Sequence, residues 1–201
     1  MSGAERANLR AIVIGASAGA IEALSVILPA LRADLPMPVF VVVHVPRERP
    51  SLLAAIFEPK IGLRVREALD KEPVAPGILS FAPPDYHLLV ERGRDGSDHG
   101  DGGPTLALAA DAPVHHSRPS IDVLFESAAR VYGSGLLAIV LTGASADGAA
   151  GLAAAQAAGA TTVVQSPESA LSATMPQAAL DRVDADHVLD LPGIAAFLAT
   201  L

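Results

Sequence analysis

Three short stretches carry the residue types that hydrolytic chemistry needs. In Gly15-Ala16-Ser17-Ala18-Gly19, a serine lies between glycines, directly after the apolar run Ala11 to Ile14 and before a helical pattern. Glycine at both ends permits a sharp turn that lifts the Ser17 hydroxyl out at a helix N-terminus, where the dipole and free N–H groups favour an anion. The spacing matches a G-x-S-x-G nucleophile turn, and equally a small-residue loop that holds a nucleotide phosphate or a simple tight turn. His44 ends the apolar stretch VFVVVHVP. Alone it reads as a rim histidine, but beside an exposed serine it supplies the base that a neutral hydroxyl needs before it can attack. Asp147 closes the set in LLAIVLTGASADGAAG. It is either a carboxylate at a helix N-terminus or the third group that holds His44 in one tautomer and stabilises its imidazolium. Backbone N–H groups of Gly143 and Ala144, together with Ala18, would then face a developing oxyanion.

The elements around these residues decide whether they can meet. Ala11 to Ile14, Val39 to Val45, Leu136 to Leu141 and Thr161 to Val164 are short, continuous apolar runs, the pattern of strands covered on both faces. Helical spacing occupies Ile21 to Leu31, Ser51 to Phe57, Ser120 to Val131 and Gly148 to Ala158, with Ser120 as N-cap and Asp122 in the first turn. Alternation of strand and helix predicts a doubly wound, mainly parallel α/β sheet in three layers. In such a sheet ligands bind beyond the carboxyl ends of the strands, and all three candidates follow strands. The order Ser, His, Asp along the chain, with the serine after the first strand, sets the pattern apart from standard α/β-hydrolases. Ile78 to Glu91 and Thr105 to Ala109 interrupt the alternation and read as an antiparallel β-hairpin insertion. Its tip, RGRDGSDHGDGGP, is too poor in apolar residues to order itself. Asp95, Asp98, His99 and Asp101 in that tip lack the defined ligand series and distal Glu of a calcium loop, so a solvated loop is expected rather than a metal site.

Composition narrows the chemistry. The chain has 201 residues, 51% hydrophobic but 3% aromatic, so its core must be aliphatic. A chain of this length buries roughly 70% of its unfolded surface and needs no metal or disulfide staple. Zero Cys excludes a thiolate metal site and a cysteine nucleophile, leaving hydroxyl, imidazole and carboxylate groups. With 14 basic against 22 acidic side chains and a formal charge of −8, no basic stripe exists to neutralise nucleic-acid phosphates. The uncharged run Gly148 to Pro167 lacks the Leu, Ile and Phe density of a membrane span and reads as a buried helix followed by a strand. The N-terminal apolar stretch is too short for a secretory signal, and a cytoplasmic protein is expected.

Taken together, IGASAGAIEAL, VVVHVP, FAPPDYHLLVERG, RPSIDVLFESAA, LTGASADGAAG and QSPESALSATMPQAA, in this order over nearly the whole chain, resemble the catalytic domain of the chemotaxis receptor methylesterases, the CheB family. The resemblance implies hydrolysis of glutamate methyl esters on the cytoplasmic helices of methylated chemoreceptors, with glutamine deamidation as a side activity and no cofactor. It places the nucleophile on Ser17, the base on His44 and the orienting acid on Asp147. His87, Arg118 and Met175 fall in matching segments and are expected at the rim of the site or against substrate. Two departures stand out: the family's Gly-Gly after the serine turn reads Gly19-Ala20, and its TGM loop reads Thr142-Gly143-Ala144. Typical members also carry a receiver domain, whereas about ten residues precede the first strand here; residues 1–201 are therefore expected to be a single catalytic domain without that switch. The alternative expectation is a signalling module that binds a receptor-like or regulatory partner with little turnover. A nucleotide-binding protein fits less well, because the second strand ends in His44 and not in an acidic ribose-binding residue.

Overall fold

The structure, a computed structural model, describes residues 8–93 and 102–201. The loop-tip residues Asp95, Asp98, His99 and Asp101 lie outside the described residues. Along the chain run β1 (Ala11–Ala16), α1 (Ala20–Ile27), β2 (Val39–Val43), α2 (Leu53–Phe57), β3 (Arg64–Glu67), β4 (Ile78–Phe81), β5 (His87–Glu91) and β6 (Thr105–Ala109). There follow α3 (Ile121–Tyr132), β7 (Leu136–Val140), α4 (Ala149–Ala157), β8 (Thr161–Gln165), α5 (Thr174–Leu180), β9 (His187–Leu189) and α6 (Leu191–Leu198). Seven strands form one parallel sheet in the order β3-β4-β2-β1-β7-β8-β9, and β5 and β6 form a separate antiparallel pair.

Continuous apolar strands need cover on both faces, and two separate cores supply it. Ile12, Ile14, Val39 and Val41 pack with Leu24, Ile27, Phe57, Ile194 and Leu198, so α1, α2 and α6 cover one face. Val13, Phe40 and Val42 pack with Leu88, Leu106, Ile121, Phe125, Leu152 and Met175, which places α3, α4, α5 and the β5–β6 pair on the other. The result is the expected doubly wound, three-layer arrangement.

The expected hairpin is half right. Thr105–Ala109 pairs antiparallel with His87–Glu91 and is bridged on its other side by Pro73, not by Ile78–Phe81. Ile78–Phe81 instead enters the main sheet, parallel to β2 and β3. The chain changes sheets across Ala82 to Tyr86, where Pro83 and Pro84 cannot donate to a ladder. The uncharged run from Gly148 becomes α4 and β8, and no described helix is long and apolar enough to cross a membrane.

Register sets the site. Ala16 pairs with Val43 and Gly15 with Val140, so the carboxyl ends of β1, β2 and β7 are level. The chain first adds strands on the β2 side of β1 and then returns on the β7 side, which makes the β1/β7 crevice the topological switch point. At the strand ends His44 N–H donates to Ala16 O at 3.3 Å across one gap, and Leu141 N–H to Gly15 O at 2.9 Å and Ser17 N–H to Thr142 O at 3.0 Å across the other.

Candidate active site

Ser17 therefore stands at the centre of a level edge, with His44 next to it at the end of β2 and the Thr142 loop on its other side. The turn after β1 bends at Gly19, whose φ of 83° belongs to the left-handed region. Ser17 itself keeps an ordinary negative φ, so the turn is not the strained serine elbow of α/β-hydrolases. Ala20 N–H closes the turn onto Ser17 O at 2.9 Å and starts α1.

Asp147 is fully buried, and its carboxylate accepts four hydrogen bonds. His44 Nε2 donates to Oδ2 at 2.8 Å, as does the Ile121 N–H at 2.7 Å; the Ser120 hydroxyl and the Asp122 N–H donate to Oδ1 at 2.8 and 3.1 Å. Burial pushes this carboxyl up, but the bonds from His44, Ile121, Asp122 and Ser120 outweigh burial and hold it below the usual carboxylate range. The acid is thus kept ionised, and it fixes His44 as the tautomer with hydrogen on Nε2. Nδ1 is left facing away from the acid, with no partner among the described residues.

The same contacts revise the reading of α3. Ser120 occupies the N-cap position, yet its hydroxyl caps nothing in its own helix and is spent on Asp147. The orphan N–H groups of Ile121 and Asp122 are capped by Asp147 from outside. Asp122 in turn serves the neighbouring helix. Its Oδ1 accepts from Gly148 N–H at 2.9 Å and Gly151 N–H at 2.6 Å, capping α4. Such close approach needs Gly151, where a Cβ would lie 2.8 Å from the Asp122 Cα. Burial and then the nearby Asp147 charge push the Asp122 carboxyl up, against the two N–H bonds and His115.

Of the three backbone groups expected to form an oxyanion pocket, one is occupied. Gly143 N–H donates to Ser172 O at 3.1 Å, so Gly143 is not a free donor. Ala18 and Ala144 are exposed, and their N–H groups have no partner among the described residues. Thr142, not among the expected site residues, holds the serine turn in place. Its hydroxyl donates to Ala18 O at 2.8 Å and accepts from Ser172 N–H at 2.9 Å, while its own N–H donates to Gln165 Oε1 at 2.8 Å.

The expected rim residues divide differently. His87 is buried, with Nδ1 accepting the Ser120 N–H at 3.1 Å and Nε2 donating to Ala112 O at 3.1 Å; it positions the start of α3 and does not reach the rim. Met175 is also buried, packed under Gly143, where a Cβ would meet its Cε at 2.5 Å. Arg118 is half-buried and its guanidinium is used by the protein: Nε and Nη2 hold Asp85 Oδ1 at 3.0 and 2.6 Å, and Nη1 holds the Ala110 and Asp111 carbonyls. A cleft of about 380 Å³ opens beside the serine turn, between Gly19, Glu22, Thr142, Gln165 and the exposed Leu171. No local signal in the sequence announces this wall, because Thr142 meets Gln165 and Ser172 only through the fold.

A serine, a histidine and a buried, ionised aspartate thus follow three strands of a parallel α/β sheet around its topological switch point. The chain belongs to the CheB methylesterase family, whose model matches residues 12–198. A relative from Leptospira interrogans is 39% identical over 194 residues, covering 96% of this chain and 95% of the relative. A protein from Anaeromyxobacter dehalogenans named protein-glutamate methylesterase/protein-glutamine glutaminase 1 is 40% identical over 193 residues, covering 96% of this chain but 52% of its own length. The chain thus spans about half of that relative. The crystal structure of the Thermotoga maritima CheB methylesterase catalytic domain superposes with a TM-score of 0.85 at 29% identity, covering 96% of this chain and 98% of that one.

Proposed function

We propose that the chain is a serine carboxylesterase that hydrolyses glutamate methyl esters on the cytoplasmic helices of chemoreceptors, with Ser17, His44 and Asp147 as its triad. The observation that carries the reading is the 2.8 Å bond from His44 Nε2 to a buried, ionised Asp147, in register with Ser17 one strand away. Ser17 Oγ attacks the ester carbonyl while His44 Nδ1 takes its proton. The tetrahedral oxyanion is met by the free N–H groups of Ala18 and Ala144. Collapse breaks the ester C–O bond, and His44 returns the proton to the leaving methoxide as methanol. Water then attacks the acyl-serine with His44 again as base, releasing the glutamate carboxylate and free Ser17. The same steps on a primary amide release ammonia, the deamidase side activity that the names of the relatives point to.

The test is methanol release from receptor membranes carrying methylated glutamates: wild type releases it and Ser17→Ala does not, whereas equal release from both overturns the reading. A binding module with little turnover is the second reading, favoured by one observation: Ser17 Oγ has no hydrogen bond to His44 among the described residues. Triads without substrate are often looser than in the reacting complex. A fluorophosphonate separates the two, since labelling of Ser17 requires an activated hydroxyl.

A further inference from the structure

His115 and His116 form the two-residue loop of a small hairpin, closed by Val114 N–H to Ser117 O at 3.1 Å and Ser117 N–H to Val114 O at 2.8 Å. Both take positive φ, 47° and 63°, a turn that normally selects Asn and Gly. Two imidazole residues in this conformation store backbone strain, which calls for a compensating contact. That contact is His115 Nε2 at 3.4 Å from Asp122 Oδ2, while Arg47 Nη2 pins the turn through the His116 carbonyl at 3.1 Å. A second imidazole–carboxylate pair thus stands directly behind the first, joined to it where the Asp122 N–H meets Asp147.

We infer that His115 is a positioning residue that acts through Asp122, setting how much negative charge the His44–Asp147 pair experiences. The charged and polar surroundings leave this role to His115. Asp122 faces Asp147, His115 and the Gly148 and Gly151 N–H groups; His44 faces Asp147 and the Ser17 turn. The nearby guanidiniums of Arg47 and Arg118 are directed at Asp85 instead. When protonated, His115 at 3.4 Å cancels part of the Asp122 charge. Its removal leaves two carboxylates behind His44, and their combined field favours the imidazolium. The link from this field to hydrolysis rests on the esterase reading; the field itself does not.

The experiment is an NMR titration of the His44 ring in the full chain, without substrate. His115→Gln should raise the His44 midpoint by roughly 0.3 to 1 pH unit, His115→Lys should bring it back, and His115→Gln should add nothing on top of Asp122→Asn. An unmoved midpoint in His115→Gln, or the same shift with and without Asp122, overturns the inference. Where Asp122→Asn does not fold, the Gln and Lys variants decide alone. Failure of the esterase reading registers separately, as methanol release that does not depend on Ser17.

Discussion

Asp147 caps the helix that carries Asp122, and Asp122 caps the helix that begins just after Asp147. The two carboxylates interlock α3 and α4 at their N-termini, where each finds N–H donors that no helix can satisfy internally. The orienter of His44 is therefore also a structural tie.

Asp147→Asn should cost both fold and activity. Each carboxylate oxygen accepts two bonds, so either orientation of an amide turns an NH2 group against a backbone N–H. We expect a loss of about 3 kcal/mol in denaturant unfolding and a fall in kcat of roughly 10³ to 10⁴. A folded variant of wild-type stability would contradict the capping role.

Acid should affect the two carboxylates with opposite sign. Asp147, held below the usual range, contributes stability that is in place above about pH 4 and is lost as pH falls through its lowered value. Asp122, pushed up by burial, is favourable when protonated and loses that contribution as pH rises through its raised value. Melting temperatures across pH 3 to 7 should show an Asp147→Asn deficit that shrinks in acid. Asp122→Asn, which keeps its Oδ1 acceptor, should show a relative gain that disappears there. Parallel pH trends in the two variants would refute the assignment.

Thr142→Val keeps the shape of a buried side chain but strands Ala18 O and Ser172 N–H. Stability should drop by about 1 to 3 kcal/mol. If the hydroxyl holds the serine turn, kcat should fall further than KM changes, and Thr142→Ser should restore it. Wild-type kcat in the valine variant would remove Thr142 from the positioning of Ser17.

Gly151→Ala drives a Cβ to 2.7 Å from the Phe125 Cβ and 2.8 Å from the Asp122 Cα. Forcing α3 from α4 should destabilise by about 1 to 3 kcal/mol and lower methanol release, although Gly151 lies inside a helix. Full activity in this variant would show that the interlocked caps do not control the placement of Asp147.

Only a neutral imidazole accepts the serine proton, so hydrolysis should be lost in acid once His44 is protonated. A rate that stays flat between about pH 5 and 8 would argue against His44 as base.

What could be read along the chain follows from locality. The central strands β1, β2 and β7 announce themselves as uninterrupted apolar runs because both of their faces are covered, and Ser17, His44 and Asp147 follow from standing at or just beyond their ends. The edge strand Arg64–Glu67 escaped notice because Val65 is its one buried residue, too little for a pattern. Ile78–Phe81 reads as a hairpin arm since a parallel partner 40 positions earlier leaves no local mark. The same nonlocality hid the Ser172 carbonyl that occupies Gly143 N–H and the burial of His87 and Met175. Asp122 was legible as a first-turn carboxylate, but which helix it serves depends on the packing of Gly151.

Among the three residues of the proposed triad, the fold depends on them unequally. Asp147 holds two helices, whereas the Ser17 hydroxyl bonds to nothing among the described residues. A chain of this architecture that lost its chemistry would still have reason to keep the aspartate, and none to keep the serine. Whether any protein built this way is a working hydrolase or a retired one is therefore to be read at position 17, while an intact Asp147 says only that the helices are tied.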